Sequence, residues 1–189
     1  MVKKLCRTEG GMMIFLRTVI FIILVPGTAI CVLPYWLSAV WPYRADIGVF
    51  RFLGPVLIFS GSLIYFISVL SFLVEGKGTP AIWFTKAIRF LIGEEPNKLV
   101  SGGIYRISRN PMYLGVVAVV LGEAIYFERV VLLLYAAALW LFLQITILFI
   151  EEPHLKKKYG KEYEDYLKNT SRWFSFRKKK LCNSRMPGT

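Results

Sequence analysis

Four apolar runs constrain this chain more than anything else in it. They extend from Ile14 to Tyr35, Phe52 to Val74, Met112 to Phe127 and Val130 to Ile150. A helix needs roughly 20 apolar residues to cross the ~30 Å hydrocarbon core of a bilayer, and each run is of that order. Arg17 sits near enough to the end of the first run to snorkel, and Pro26-Gly27 predicts a kink of the kind membrane helices tolerate. That run is longer than the apolar stretch of a signal peptide, and no small-x-small cleavage pattern closes it. The third run is short for a full crossing, and the three residues Phe127-Glu128-Arg129 between it and the fourth predict an antiparallel hairpin. Composition agrees: 56% of the 189 residues are hydrophobic and 19% are charged, against about 25% charged in soluble domains. The fold class expected is an all-α polytopic membrane bundle of about four spans. A disordered chain, a collagen-like chain and an ordinary soluble enzyme are excluded.

The formal charge of +12 follows from the same topology. Of the 24 Lys and Arg, all but Arg44, Arg51 and Arg129 fall in the N-terminal flank, the segment between the second and third runs, or the C-terminal tail. Four crossings put those three segments on one side, which the positive-inside rule assigns to the cytoplasm together with both termini. Membrane lipids are therefore the expected partners, and nucleic acid is not needed to explain the charge. Cys6, Cys31 and Cys182 are too dispersed for a disulfide framework or a zinc site. His154 is the sole histidine, so no metal is expected.

The chain divides into an N-terminal two-span region (1–75), a core (76–176) and a basic tail (177–189). Within the core, Ala81 to Ile92 is too short to span and predicts an interfacial or re-entrant helix. Leu155, Tyr159, Tyr163, Tyr166 and Leu167 recur at helical spacing, which predicts one amphipathic helix on the inner surface. Trp173, Phe174 and Phe176 before Lys178-Lys179-Lys180 suit headgroup anchoring.

Chemistry concentrates where the hairpin opens. One strand of the opening carries Asn97-Lys98-Leu99-Val100, Gly102-Gly103, Tyr105-Arg106 and Arg109-Asn110-Pro111-Met112-Tyr113; the other carries Glu151-Glu152-Pro153-His154. An antiparallel hairpin brings these together. Pro111 suits a first helical turn and turns Asn110 away from the helical conformation, while Gly102 and Gly103 permit positive φ. Taken singly, the arginines read as topology anchors and the carboxylates as solvated helix ends. Taken together they make a polar cleft between lipid and cytosol, suited to a zwitterionic aromatic ligand and a greasy partner.

With that spacing, Gly103-Ile104-Tyr105-Arg106, Arg109-Asn110-Pro111-Met112-Tyr113, Glu151-Glu152 and Tyr159-Gly160-Lys161-Glu162-Tyr163 resemble the integral-membrane S-adenosylmethionine-dependent methyltransferases, of the isoprenylcysteine carboxyl and phospholipid types. The resemblance covers Gly76 to about Phe174. It implies a cytoplasmic-side cofactor pocket at the hairpin. Its cofactor contacts would be Asn97, Lys98, Leu99, Val100, Tyr105, Asn110, Pro111, Met112, Tyr113 and Glu151. Arg109, Asn110, Tyr113 and Glu151 would serve catalysis, and Arg106, Ile147 and Glu152 would meet the acceptor. That acceptor would be lipophilic: a prenylated carboxylate, a phospholipid amine or a small thiol. Relatives of the prenylcysteine type carry His at Asn110 and Arg at Ile147, and an apolar Ile147 cannot pair with a carboxylate. The reading from another class is a membrane scaffold that binds anionic lipid through its basic segments.

Overall fold

The computed structural model describes residues 16, 19–20, 22–71, 73–74 and 99–174. Asn97, Lys98, the expected interfacial helix and the tail from residue 175 lie outside the described residues. The described residues form helices joined by turns and loops, with an isolated antiparallel bridge between Arg44 and Arg129. Among the described residues, three helices are long and apolar enough to cross a membrane: α1 (Ile22–Val40), α2 (Leu53–Ser71, preceded by a 3-10 turn at Gly48–Phe52) and α4 (Val130–Tyr159). Between α2 and α4 stand a 3-10 turn at Gly103–Arg106 and α3 (Pro111–Tyr126); α5 (Lys161–Asn169) follows α4. At 16 residues, α3 is about 24 Å long. The short third run is thus a short helix, embedded among the others.

What embeds it is glycine. α3 packs most extensively on α2, with Gly54 facing Gly122 and Gly61 facing Gly115. A Cβ on any of the four would sit 2.7–2.8 Å from the opposite glycine's carbonyl oxygen, closer than two backbones can allow with a side chain between them. Both pairs are seven residues apart along their helices, so they share one seam of the crossing. Lipid tails supply no hydrophobic drive between helices, and close backbone approach is what holds such a pair. Tyr65, Val69, Val100, Tyr105, Met112 and Val116 form the core beside this seam.

α1 and α4 each contain a π turn, Thr28–Val32 and Ile147–Glu151. In each, the closing bond is donated by the residue just before a proline: Leu33 N–H to the Thr28 carbonyl, and Glu152 N–H to the Ile147 carbonyl. Pro34 and Pro153 follow. A proline lacks the donor for the fourth carbonyl back and crowds it sterically, and the wider turn gives that carbonyl room. α4 therefore runs through Pro153 to Tyr159, where the sequence predicts a span ending at Ile150. The expected single amphipathic helix is broken instead at Gly160 (φ 54°, ψ −127°), which lets α5 fold back toward the bundle.

Candidate functional site

The hairpin opening is assembled as its two ends dictate. Arg109 Nη1 lies 3.2 Å from Glu152 Oε1, and the Tyr113 hydroxyl donates to Glu151 Oε1. Pro111 occupies the first turn of α3, and Asn110 before it is non-helical (φ −127°, ψ 54°). Gly103 adopts φ 51°, whereas Gly102 is extended.

From this mouth a cavity of about 690 Å³ runs into the bundle between α1, α3 and α4. That is well within the roughly 300–1,000 Å³ of small-molecule sites. Leu99, Val100, Tyr105, Arg109, Asn110, Met112, Tyr113, Ile147, Glu151 and Glu152 all line it. Pro111 is fully buried beside it without lining it, and Arg106 is exposed and contributes nothing to its wall. The cavity has two ends of different character. The mouth carries Glu151, only 2% exposed, together with Tyr105, Tyr159, Tyr163 and Tyr166. The inner limb is apolar, walled by Leu24, Val25 and Leu33 of α1 and by Leu139, Phe142 and Leu143 of α4. Tyr65 of α2 also reaches it, with a buried hydroxyl that lacks a hydrogen-bond partner. The cavity thus draws on both regions that the sequence separates at residue 76.

The folded-back α5 supplies phenols. Tyr166 donates to the Tyr105 carbonyl at 2.6 Å, and its ring lies 6.2 Å from that of Tyr163. Burial pushes the Tyr163 phenol up to about 12, opposed by the Arg109 charge, and raises Tyr105 and Tyr166 as well. All three are neutral hydrogen-bonding groups at physiological pH.

Sequence reasoning missed the strap that closes the mouth. Arg109 N–H donates to the Ser171 carbonyl at 3.0 Å; Ser108 Oγ and Asn110 Nδ2 donate to the Arg172 carbonyl at 3.1 and 3.4 Å. Arg172 donates to Glu152 Oε1 through Nε at 2.9 Å, so one carboxylate holds two guanidiniums. Trp173 donates from its indole to Gln144 on α4 at 2.9 Å and lies against Trp140. Gln144 was the available signal: one amide inside an otherwise apolar run.

These features define an integral-membrane helical bundle with a cleft that is polar at one end and lipid-like at the other. A family model described as phospholipid methyltransferase matches residues 49–162, and the chain belongs to that family. Among solved structures, the eukaryotic intramembrane Ras methyltransferase ICMT (isoprenylcysteine carboxyl methyltransferase), without a monobody, matches with a TM-score of 0.58. Identity is 21% over 81% of this chain and 53% of that one, so this chain spans about half the length of that structure and shares its fold. No curated protein matches the sequence significantly.

Proposed function

We propose that the cavity transfers a methyl group from S-adenosylmethionine to the headgroup of a lipophilic acceptor, with a phospholipid amine favoured over a carboxylate. The observation that carries this reading is Glu151: a buried carboxylate, braced by Tyr113, at the junction of the tyrosine-lined mouth and the apolar limb. The residues fit the donor. An ionised carboxylate accepts hydrogen bonds from amino or hydroxyl groups, aromatic faces suit a cation and an adenine, and the Tyr65 hydroxyl has a bond to give. Leu99 and Val100 offer backbone groups beside them, as the family resemblance implies. The basic flanks support a cytosolic side for the mouth.

When bound, the donor supplies an electrophilic methyl carbon; the rest falls to the protein. In-line displacement depends on alignment, and excluding water strengthens every charge interaction within the cleft. Ile147, 1% exposed, and Leu143 keep water from the junction. Glu152 fixes Arg109 and Arg172 and so fixes the loop bearing Asn110. The charged groups among the described lining residues are Arg109, Glu151 and Glu152. Arg109 and Arg172 are both engaged by Glu152, which fixes the charges at the mouth. Ile147 gives a carboxylate acceptor no cation at that point of the wall, and the match to the phospholipid family supports an amine headgroup, which reacts once it has lost its proton.

The test uses purified protein in nanodiscs, methyl-labelled donor, and either ethanolamine phospholipid or a prenylcysteine. Base-stable label in the lipid fraction is expected. Label released as methanol by base would establish an ester and overturn the amine assignment. Label in neither acceptor, with donor binding unchanged by Glu151→Ala, would overturn the site and favour the scaffold.

A further inference from the structure

A second cavity, of about 290 Å³, opens at the other end of α3. α1 forms one wall with Cys31, Tyr35 and Ser38, and the other is formed by Glu123 of α3, Phe127 and Arg129 of the hairpin turn and Leu132 of α4, with Arg44 at the rim. Its position is set by backbone pairing: Ala45 N–H donates to the Glu128 carbonyl at 2.9 Å, and Arg44 bridges Arg129. The loop after α1 is thereby tied to the turn between α3 and α4. Glu123 lies twelve residues beyond Pro111, about 18 Å along the helix, so this cavity is separate from the methyl-transfer cleft.

Two of its charged atoms are buried and unsatisfied. Glu123 Oε2 and Arg129 Nη1 each lack a hydrogen-bond partner, and they do not satisfy each other. Desolvated groups of opposite sign, held apart in one small cavity, are costly unless a third group bridges them. The bridging group must carry a cation that donates hydrogen bonds and an anion that accepts them. A plain phosphate would meet the Glu123 carboxylate, and a plain cation would meet two guanidiniums. Ile30, Phe127 and Leu132 place the cavity against the apolar layer, at the end of a span where headgroups lie. We infer that this cavity binds the zwitterionic headgroup of an ethanolamine-type phospholipid in the leaflet opposite the cleft. The primary ammonium sits on Glu123 and the phosphate on Arg129 and Arg44. A quaternary ammonium has no N–H to give and binds less well.

The full chain in neutral detergent is melted with added phosphatidylethanolamine, phosphatidylcholine or phosphatidylglycerol, and with soluble phosphoethanolamine. The ethanolamine lipid is expected to raise Tm at roughly tenfold lower concentration than the other two lipids, the scale of one charge-assisted hydrogen bond. Glu123→Gln is expected to erase the preference over phosphatidylcholine while methyl transfer at the distant cleft continues. Arg129→Gln is expected to weaken all three lipids, and Arg44→Gln at the exposed rim reads the same contact should Arg129→Gln fold poorly. Equal shifts by all three lipids would overturn the inference. So would a preference that survives both Glu123→Gln and Arg44→Gln, since the lipid would then be acting at the cleft. If soluble phosphoethanolamine matches the lipid, the lipid assignment falls and a free headgroup compound is the ligand.

Discussion

The two sides of α3 could hardly differ more. Toward α2 it presents Gly115 and Gly122, and the backbones approach until no Cβ fits between them. Toward α1 and α4 it presents Met112, Tyr113 and Val116 to a cavity. Residues that pack the first side carry almost no side-chain chemistry; those facing the second carry nearly all of it. A short helix that must hold reacting groups in register benefits from one rigid contact, and a backbone-to-backbone seam has few rotamers to vary. The open face is then free to be shaped by what binds there. The two π turns serve that open face, since Thr28 and Leu33 of α1 and Ile147 and Glu151 of α4 all line the cavity.

The largest effect expected on the open side is that of Glu151→Ala. Loss of the buried carboxylate should lower kcat/KM by about 10²–10³, the range for removing one preorganised polar contact to a reacting system, with little change in melting temperature. A matching drop in stability would mean that Glu151 serves the fold and would blur the division between the two sides. The seam should respond in the opposite way. Gly115→Ala adds one methyl group 2.7 Å from the Gly61 carbonyl oxygen and 2.9 Å from the Tyr65 nitrogen, neither of which can swing aside. It should cost about 1–3 kcal/mol by overpacking. Leu139→Ala removes three carbons from the half-buried cavity wall, where the remaining face meets lipid, and should cost less than about 1 kcal/mol. Thermal melts in one detergent compare the two, and a larger loss for Leu139→Ala would erase the contrast.

The sequence exposes these regions unequally. Long apolar runs announce spans because bilayer thickness sets their length, and the three-residue turn at Phe127-Glu128-Arg129 forces Arg109 and Glu152 to the same end. The pairs Tyr113–Glu151 and Arg109–Glu152 follow from that connectivity. The glycine seam is written as two seven-residue spacings, but nothing local says that Gly54 meets Gly122. That pairing belongs to the crossing of two helices separated by a long segment. The strap at Ser171–Trp173 acts largely through main-chain carbonyls, which no side-chain pattern reports. Pro153 reads locally as a helix boundary, and only the π turn before it shows how α4 continues. α1 carries no motif because its contribution to the cleft is apolar shape.

A smaller effect probes how firmly the mouth is closed. Trp173→Phe removes the indole donor to Gln144 but keeps an aromatic ring near Trp140. One neutral hydrogen bond is worth about 1 kcal/mol, so KM for the donor should rise by roughly fivefold with kcat nearly constant. Loss of kcat alone would place the strap's role in the chemical step.

The smallest effect concerns the phenols and appears only in alkali. Tyr163 titrates near 10 in an unfolded chain and, through burial, near 12 in the folded one. Between those values the folded state keeps a proton that the unfolded state has lost. The resulting stabilisation is complete below pH 10, declines as pH climbs from about 10, and is exhausted past about 12. Tyr163→Phe should flatten that part of the melting profile while leaving the neutral region nearly unchanged, because the phenol bears no charge there. The Arg109 guanidinium opposes the shift and the Glu152 charge adds to it, so Glu152→Gln, which removes the carboxylate and frees Arg109, should bring the folded titration closer to 10 and make the alkaline fall smaller. A fall of unchanged size would show that burial alone keeps Tyr163 protonated, and that the charges at the mouth play no part where the seam is purely steric.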